Sequence, residues 1–169
     1  MKRIWLAFCG ILAASGMGRA MADEICPALT NLLTNPPAGF VALRGEKTSE
    51  VWPRWTAKPF LANAVCELRG AETDPQQELR CTINNQAEEA ATAAWYKATG
   101  AAIDACLPSL PNGKRYVRKP ETAKQADGFQ GVTTVWAYDG GSEKIEIELT
   151  NDSNFGHASN TMSVRYLKR

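Results

Sequence analysis

The spacing of apolar positions changes several times along the chain, and each change marks an element. Ile4 to Ala14 is an apolar run interrupted only by Gly10. Ile25, Leu29, Leu32 and Leu33 then recur at helical spacing, which predicts a short helix over 26–34. Pro27 suits its first turn, and Asn35-Pro36-Pro37 ends it. Residues 40–44 (FVALR) read as a strand ending at Gly45, and 46–62 as irregular. Two alternating stretches follow, 64–70 (AVCELRG) and 78–84 (ELRCTIN). Ala64, Cys66 and Leu68 share one face; Leu79, Cys81 and Ile83 share the matching face of the second strand. Asp74-Pro75 breaks the chain between them, so the pair predicts a hairpin.

A helical period returns over 86–107, carried by Ala91, Ala94, Trp95, Ala98, Ala102 and Ile103. Asn85 is a suitable N-cap with Glu88 as its capping-box partner, and Pro108 and Pro111 enforce the stop. Alternation dominates the remainder. Residues 113–119 predict a short strand, 132–138 (VTTVWAY) a strong one, and Asp139-Gly140-Gly141-Ser142 a turn. Residues 144–149 (KIEIEL) place Ile145, Ile147 and Leu149 inward and Lys144, Glu146 and Glu148 outward. A polar loop over 150–160 precedes a last strand marked by Met162, Val164 and Tyr166. No internal repeat is visible in the residues. The order predicts an α+β domain: an antiparallel sheet of about five to seven strands with two helices packed on one face. The outward acidic stripe fits a sheet whose other face meets water. This order resembles, in topology alone, the small α+β fold of type III secretion chaperones. Those proteins act in the cytoplasm, and no family motif accompanies the resemblance.

The N-terminus changes the picture of where the chain works. Met1-Lys2-Arg3, the apolar run and Ala20-Met21-Ala22 together predict a secretory signal peptide over 1–22. A single domain over 23–169 is then expected in the bacterial periplasm or outside the cell. The leading run is shorter than the roughly 20 apolar residues of a spanning helix, and no later run approaches that length. Losing Lys2, Arg3 and Arg19 turns the formal charge of +1 into −2. Such a balance points to no nucleic-acid partner.

Cys9 leaves with the signal. Cys26, Cys66, Cys81 and Cys106 remain, an even number in an exported chain, so two disulfides are expected. Cys66 and Cys81 lie equally far from the hairpin turn, where opposed Cα atoms stand about 4.5 Å apart. Cys106 lies about 30 Å along the long helix from its start, whereas Cys81 lies only about 13 Å back from that start. This mismatch leaves Cys66–Cys81 and Cys26–Cys106 as the expected pairs.

Candidate chemistry is thin. His157 is the only histidine, with Asp152, Ser153 and Ser159 nearby in sequence. Closeness along a loop does not make a triad, and no nucleophile-elbow motif is present. Glu146 and Glu148 share a strand face, as a glycosidase pair would, but such alternation is commoner on a wet sheet face. Neither a metal constellation nor a cofactor fingerprint is found, so no cofactor is expected.

Two surfaces remain. The first is Lys114-Arg115-Tyr116-Val117-Arg118-Lys119, whose cations could grip carboxylates or phosphates. The plainer reading is an edge strand defended by charge. The second is Val51-Trp52-Pro53-Arg54-Trp55, where the tryptophans either cover the core or form an interface with Arg54. The expectation is a monomeric binding or inhibitor-like protein, using Trp52, Arg54, Trp55, Lys114, Arg115, Arg118 and Lys119 toward an envelope protein or anionic cell-wall component. The alternatives are a small envelope hydrolase using Asp, Glu, Ser or His157, and a structural envelope component.

Overall fold

The computed structural model describes residues 13–49, 51, 53–61, 63–70, 73–83, 89–126, 129–154 and 157–169, with side chains from residue 23 onward. Helix α1 spans Ala13–Thr34, and the expected helix is its C-terminal part. Its stripe of Ile25, Leu29, Leu32 and Leu33 is buried. The expected strand over 40–44 is instead helical: α2 runs Pro36–Leu43, and the strand begins at Arg44. Prolines suit the first positions of a helix, where their missing N–H is no loss. Gly39 lets α2 lie directly on α1, because a Cβ there would stand 2.9 Å from the Leu32 backbone.

The stretch expected to be irregular holds two strands, β1 (Arg44–Ser49) and β2 (Arg54–Ala57). The hairpin follows as β3 (Val65–Arg69) and β4 (Gln76–Ile83), then helix α3 (Glu89–Cys106) and a short 3-10 turn, Leu107–Ser109. The Asn85 cap lies outside the described residues. Five strands complete the chain: β5 (Val117–Arg118), β6 (Thr122–Ala126), β7 (Phe129–Asp139), β8 (Glu143–Asn154) and β9 (His157–Lys168). Much of the polar loop expected over 150–160 is therefore strand. Polar residues serve a strand well where one face is wet, and buried Asn160 is satisfied by donating to Thr92 O and accepting from Asn151.

The fold is α+β, and among the described residues its antiparallel sheet is larger than expected, nine strands accompanied by three α-helices. The order is β1-β2-β3-β4-β9-β8-β7-β5, with β6 also paired to β7. Lys119 still bonds Val135 O through its N–H, but Pro120 has no N–H to give. The register shifts by one residue across Pro120, from Arg118↔Trp136 to Thr122↔Thr133. Together β5 and β6 therefore act as one broken edge strand.

The two halves then follow one plan, helix before a four-stranded antiparallel meander, with α2 an addition to the first half and the last strands β4 and β9 paired at the centre. One row of partners crosses the core face as Trp55, Leu68, Leu79, Val164, Ile147 and Trp136. Outward from the centre, each half reads aliphatic, aliphatic, tryptophan. A single matched residue per strand is too sparse to show as a sequence repeat.

Cys66 and Cys81 are register partners joined by a disulfide, Cα atoms 4.1 Å apart, as the hairpin reading expects. The second expected disulfide is not formed. Cys26 on α1 and Cys106 on α3 are free thiols, near enough that Cys26 perturbs Cys106. Burial, with Cys26 adding to it, pushes the Cys106 thiol up to about 12. Little reactive thiolate therefore exists at neutral pH.

Replacing both Cys66 and Cys81 by alanine is expected to cost about 3 kcal/mol, the chain-entropy value for a loop of this length. Urea unfolding of oxidised wild type and the double variant measures it.

Candidate functional site

The basic segment lies at one end of the sheet, against the end of α3. Lys114 Nζ stands 2.7 Å from Glu143 Oε1 and 5.4 Å over the Tyr138 ring. Arg118 Nη1 donates to Asp104 Oδ2 at 2.8 Å, and its guanidinium lies 5.5 Å from the Trp136 ring centre. Trp136 Nε1 donates to the other oxygen of the same carboxylate at 2.7 Å. Lys119 Nζ donates to Glu146 Oε1 at 3.2 Å. Three of the four cations are thus answered by the protein's own acids, which anchors the segment. Arg115 differs: it is exposed and has no side-chain partner among the described residues. It borders a cavity of about 400 Å³ with Leu107, Leu110, Tyr116 and Trp136 beneath and Lys114, Arg115 and Arg118 around it. Burial pushes the Tyr116 phenol up to about 12, so it stays neutral at the floor.

The tryptophan segment lies toward the other end of the sheet, so the structure does not bring the two surfaces together. Trp52 lies outside the described residues. Pro53 O accepts from Gly70 N at 3.1 Å, which ties the segment to the hairpin. Arg54 and Trp55 are consecutive strand residues and so point to opposite faces. Arg54 is exposed beside Arg69, its register partner, with Glu78 in the same cavity wall. Trp55 is half-buried against the core, with the Arg44 guanidinium 4.4 Å over its ring. Trp55 therefore covers core, and only Arg54 of the described pair faces solvent freely.

His157 opens β9 as an exposed residue opposite Asn154. No hydrogen bond joins it to Asp152, Ser153 or Ser159 among the described residues. Glu146 and Glu148 do share the open face, but both are ion-paired. Glu146 meets Lys144 at 2.9 Å and Lys119 at 3.2 Å, and Arg165 bridges toward both carboxylates. Burial raises the Glu146 pKa, yet hydrogen bonds from Lys144 and Lys119 outweigh it and hold the carboxyl below its usual range. No group of metal-ligating side chains forms among the described residues. No described helix is long and apolar enough to cross a membrane.

The sequence carries no sign that Asp104 and Glu143 serve the basic segment. Asp104 sits on α3, and only tertiary packing sets it between Arg118 and Trp136. No known family model matches the chain, and no curated protein matches it.

Trp55→Ala should lower stability by about 2 kcal/mol, below the 3–5 kcal/mol of a fully buried tryptophan, read from the urea midpoint. Glu146 contributes stability that is full above the unfolded carboxyl pKa of about 4.3 and is lost as pH falls through its lower folded value. Glu146→Gln should therefore be less stable than wild type at pH 7. The gap should narrow below about pH 4, followed by thermal melts across pH.

Proposed function

We propose that the protein is an exported binding protein, inhibitor-like in acting through a rigid surface, and that it takes an acidic envelope partner over the Trp136 cavity. The carrying observation is Arg115, a cation without a side-chain partner at the rim of an apolar-floored cavity whose neighbouring cations are already paired. A free guanidinium can take a carboxylate or phosphate in two parallel hydrogen bonds. Neutral aromatic and aliphatic floor groups give such a partner apolar contact as well. Pre-anchored Lys114 and Arg118 reduce the ordering cost of binding.

Export is supported by the N-terminal pattern of a positive start, an apolar run and Ala20-Met21-Ala22. In an oxidising compartment the adjacent thiols of Cys26 and Cys106 would close as the second disulfide, fastening α1 to α3. The chain would act as a monomer. The hydrolase reading has less support, since no hydrogen bond joins His157 to Asp152, Ser153 or Ser159 among the described residues.

Capture of envelope components on immobilised, oxidised protein tests this reading. Arg115→Glu should remove an acidic partner while leaving the melting temperature unchanged. Capture that survives Arg115→Glu but fails with Arg54→Glu would move the site to the tryptophan segment. Non-reducing peptide mapping of the exported protein should link Cys26 to Cys106.

A further inference from the structure

The face of the sheet away from the helices carries a second, smaller cavity of about 190 Å³. A rank of threonines crosses it perpendicular to the strands: Thr82, Thr161, Thr150, Thr133 and Thr122 are successive register partners on five strands. Their hydroxyls meet one another at 3.1 Å between Thr133 and Thr150 and at 3.4 Å between Thr82 and Thr161. Beside this rank the cavity is lined by Arg80, Lys124, Glu148 and Asp152, and the Phe129 ring forms a wall.

Two features mark the cavity as more than a wet sheet face. First, Asp152 differs from the ion-paired Glu146 and Glu148: it is half-buried with no hydrogen bond or ion pair among the described residues. Burial raises its carboxyl pKa, and the nearby charges of Arg80 and Lys124 offset this only in part. Among the described residues its oxygens accept no hydrogen bond. Second, its register partner is Gly131, a glycine at the third position of an eleven-residue strand. Glycine there weakens a strand and often marks close approach of another group. A Cβ at 131 would stand 2.6 Å from Asp152 Oδ1 and 3.0 Å from Phe129 Cζ. With glycine there, the carboxylate and the ring lean over the strand together, where any side chain would push them aside.

The lining selects the ligand. The lining holds charges of both signs, Arg80 and Lys124 with Glu78, Glu148 and Asp152, so a simple ion of either sign meets repulsion as well as attraction. Hydroxyls, guanidinium, ammonium and carboxylate together offer both donors and acceptors. An aromatic wall suits a flat apolar patch of C–H groups. The volume is below the roughly 300–1,000 Å³ of sites for drug-sized molecules. We infer that this open-face cavity binds a single neutral sugar ring, with Asp152 accepting from its hydroxyls and Phe129 packing on its C–H face. The site is separate from the Arg115 cavity and does not depend on it.

The test titrates the full-length, oxidised protein with glucose, N-acetylglucosamine, glucuronate and inorganic phosphate, by calorimetry and saturation-transfer NMR. Saturable binding of a neutral ring is expected, with magnetisation transferred to its C–H protons. Asp152→Asn should weaken it about tenfold or more, as for loss of a hydrogen bond to a charged group. Gly131→Ala should abolish it; if that variant misfolds, Asp152→Asn and Phe129→Leu decide the matter. Arg115→Glu should leave sugar affinity unchanged, which separates this site from the acidic-partner reading. Absence of saturable binding by either neutral sugar overturns the inference. So does affinity unaltered by Asp152→Asn, or a preference for glucuronate or phosphate over the neutral rings.

Discussion

An antiparallel ladder from Gln76↔Leu167 to Ile83↔Asn160 ties β4 to β9, and through it the two meanders become one sheet. Side chains on a strand alternate, so this ladder also fixes which residues of every other strand face the helices. Leu79 opposite Val164 sets the row that ends at Trp55 on one side and Trp136 on the other. A slip of one residue would turn Leu79, Cys81 and Ile83 to water and bring Glu78 and Arg80 under the helices. The cost of burying those charges makes the observed register the stable one.

The charges follow from the same geometry. On the open face, Arg165 lies between Glu78 on β4 and Glu146 on β8, with cation and acid in turn along one line. Arg69 extends that pattern through Glu67 and Glu78. On the helix side Asp104 receives both the indole N–H of Trp136 and the guanidinium of Arg118. A carboxylate satisfied this way holds the end of α3 to the edge of the sheet. The two cavities lie where this pairing leaves one group over, Arg115 in the first and Asp152 in the second.

The parts of the fold legible in the sequence are those governed by local periodicity. The 64–84 hairpin, its disulfide register and the body of α3 follow from spacing alone. The misread parts are set by tertiary contact. FVALR has the composition of a strand, but Pro36-Pro37 starts a helix and Gly39 lets it pack on α1. Arg44–Ser49 is largely exposed and polar, so its strand arises by pairing with β2 and has no apolar alternation of its own. Of the site residues, the basic segment was visible as a run of charge, but its acids come from α3 and β8. Asp152 was visible only as a neighbour of His157. Its significance depends on Gly131 across the ladder, and no spacing rule links two positions on separate strands.

The two-part plan has a consequence for symmetry. Leaving aside α2, a helix and four strands whose last strand pairs antiparallel with its counterpart is the arrangement of an isologous dimer, here written into one chain. Two identical subunits would carry every feature twice. Covalent continuity removes that obligation. The place held by Cys66–Cys81 in one half is held by Ile145 and Tyr166 in the other. Likewise Gly131 and Asp152 occur in the second half alone, so a twofold scaffold can carry a single, asymmetric site.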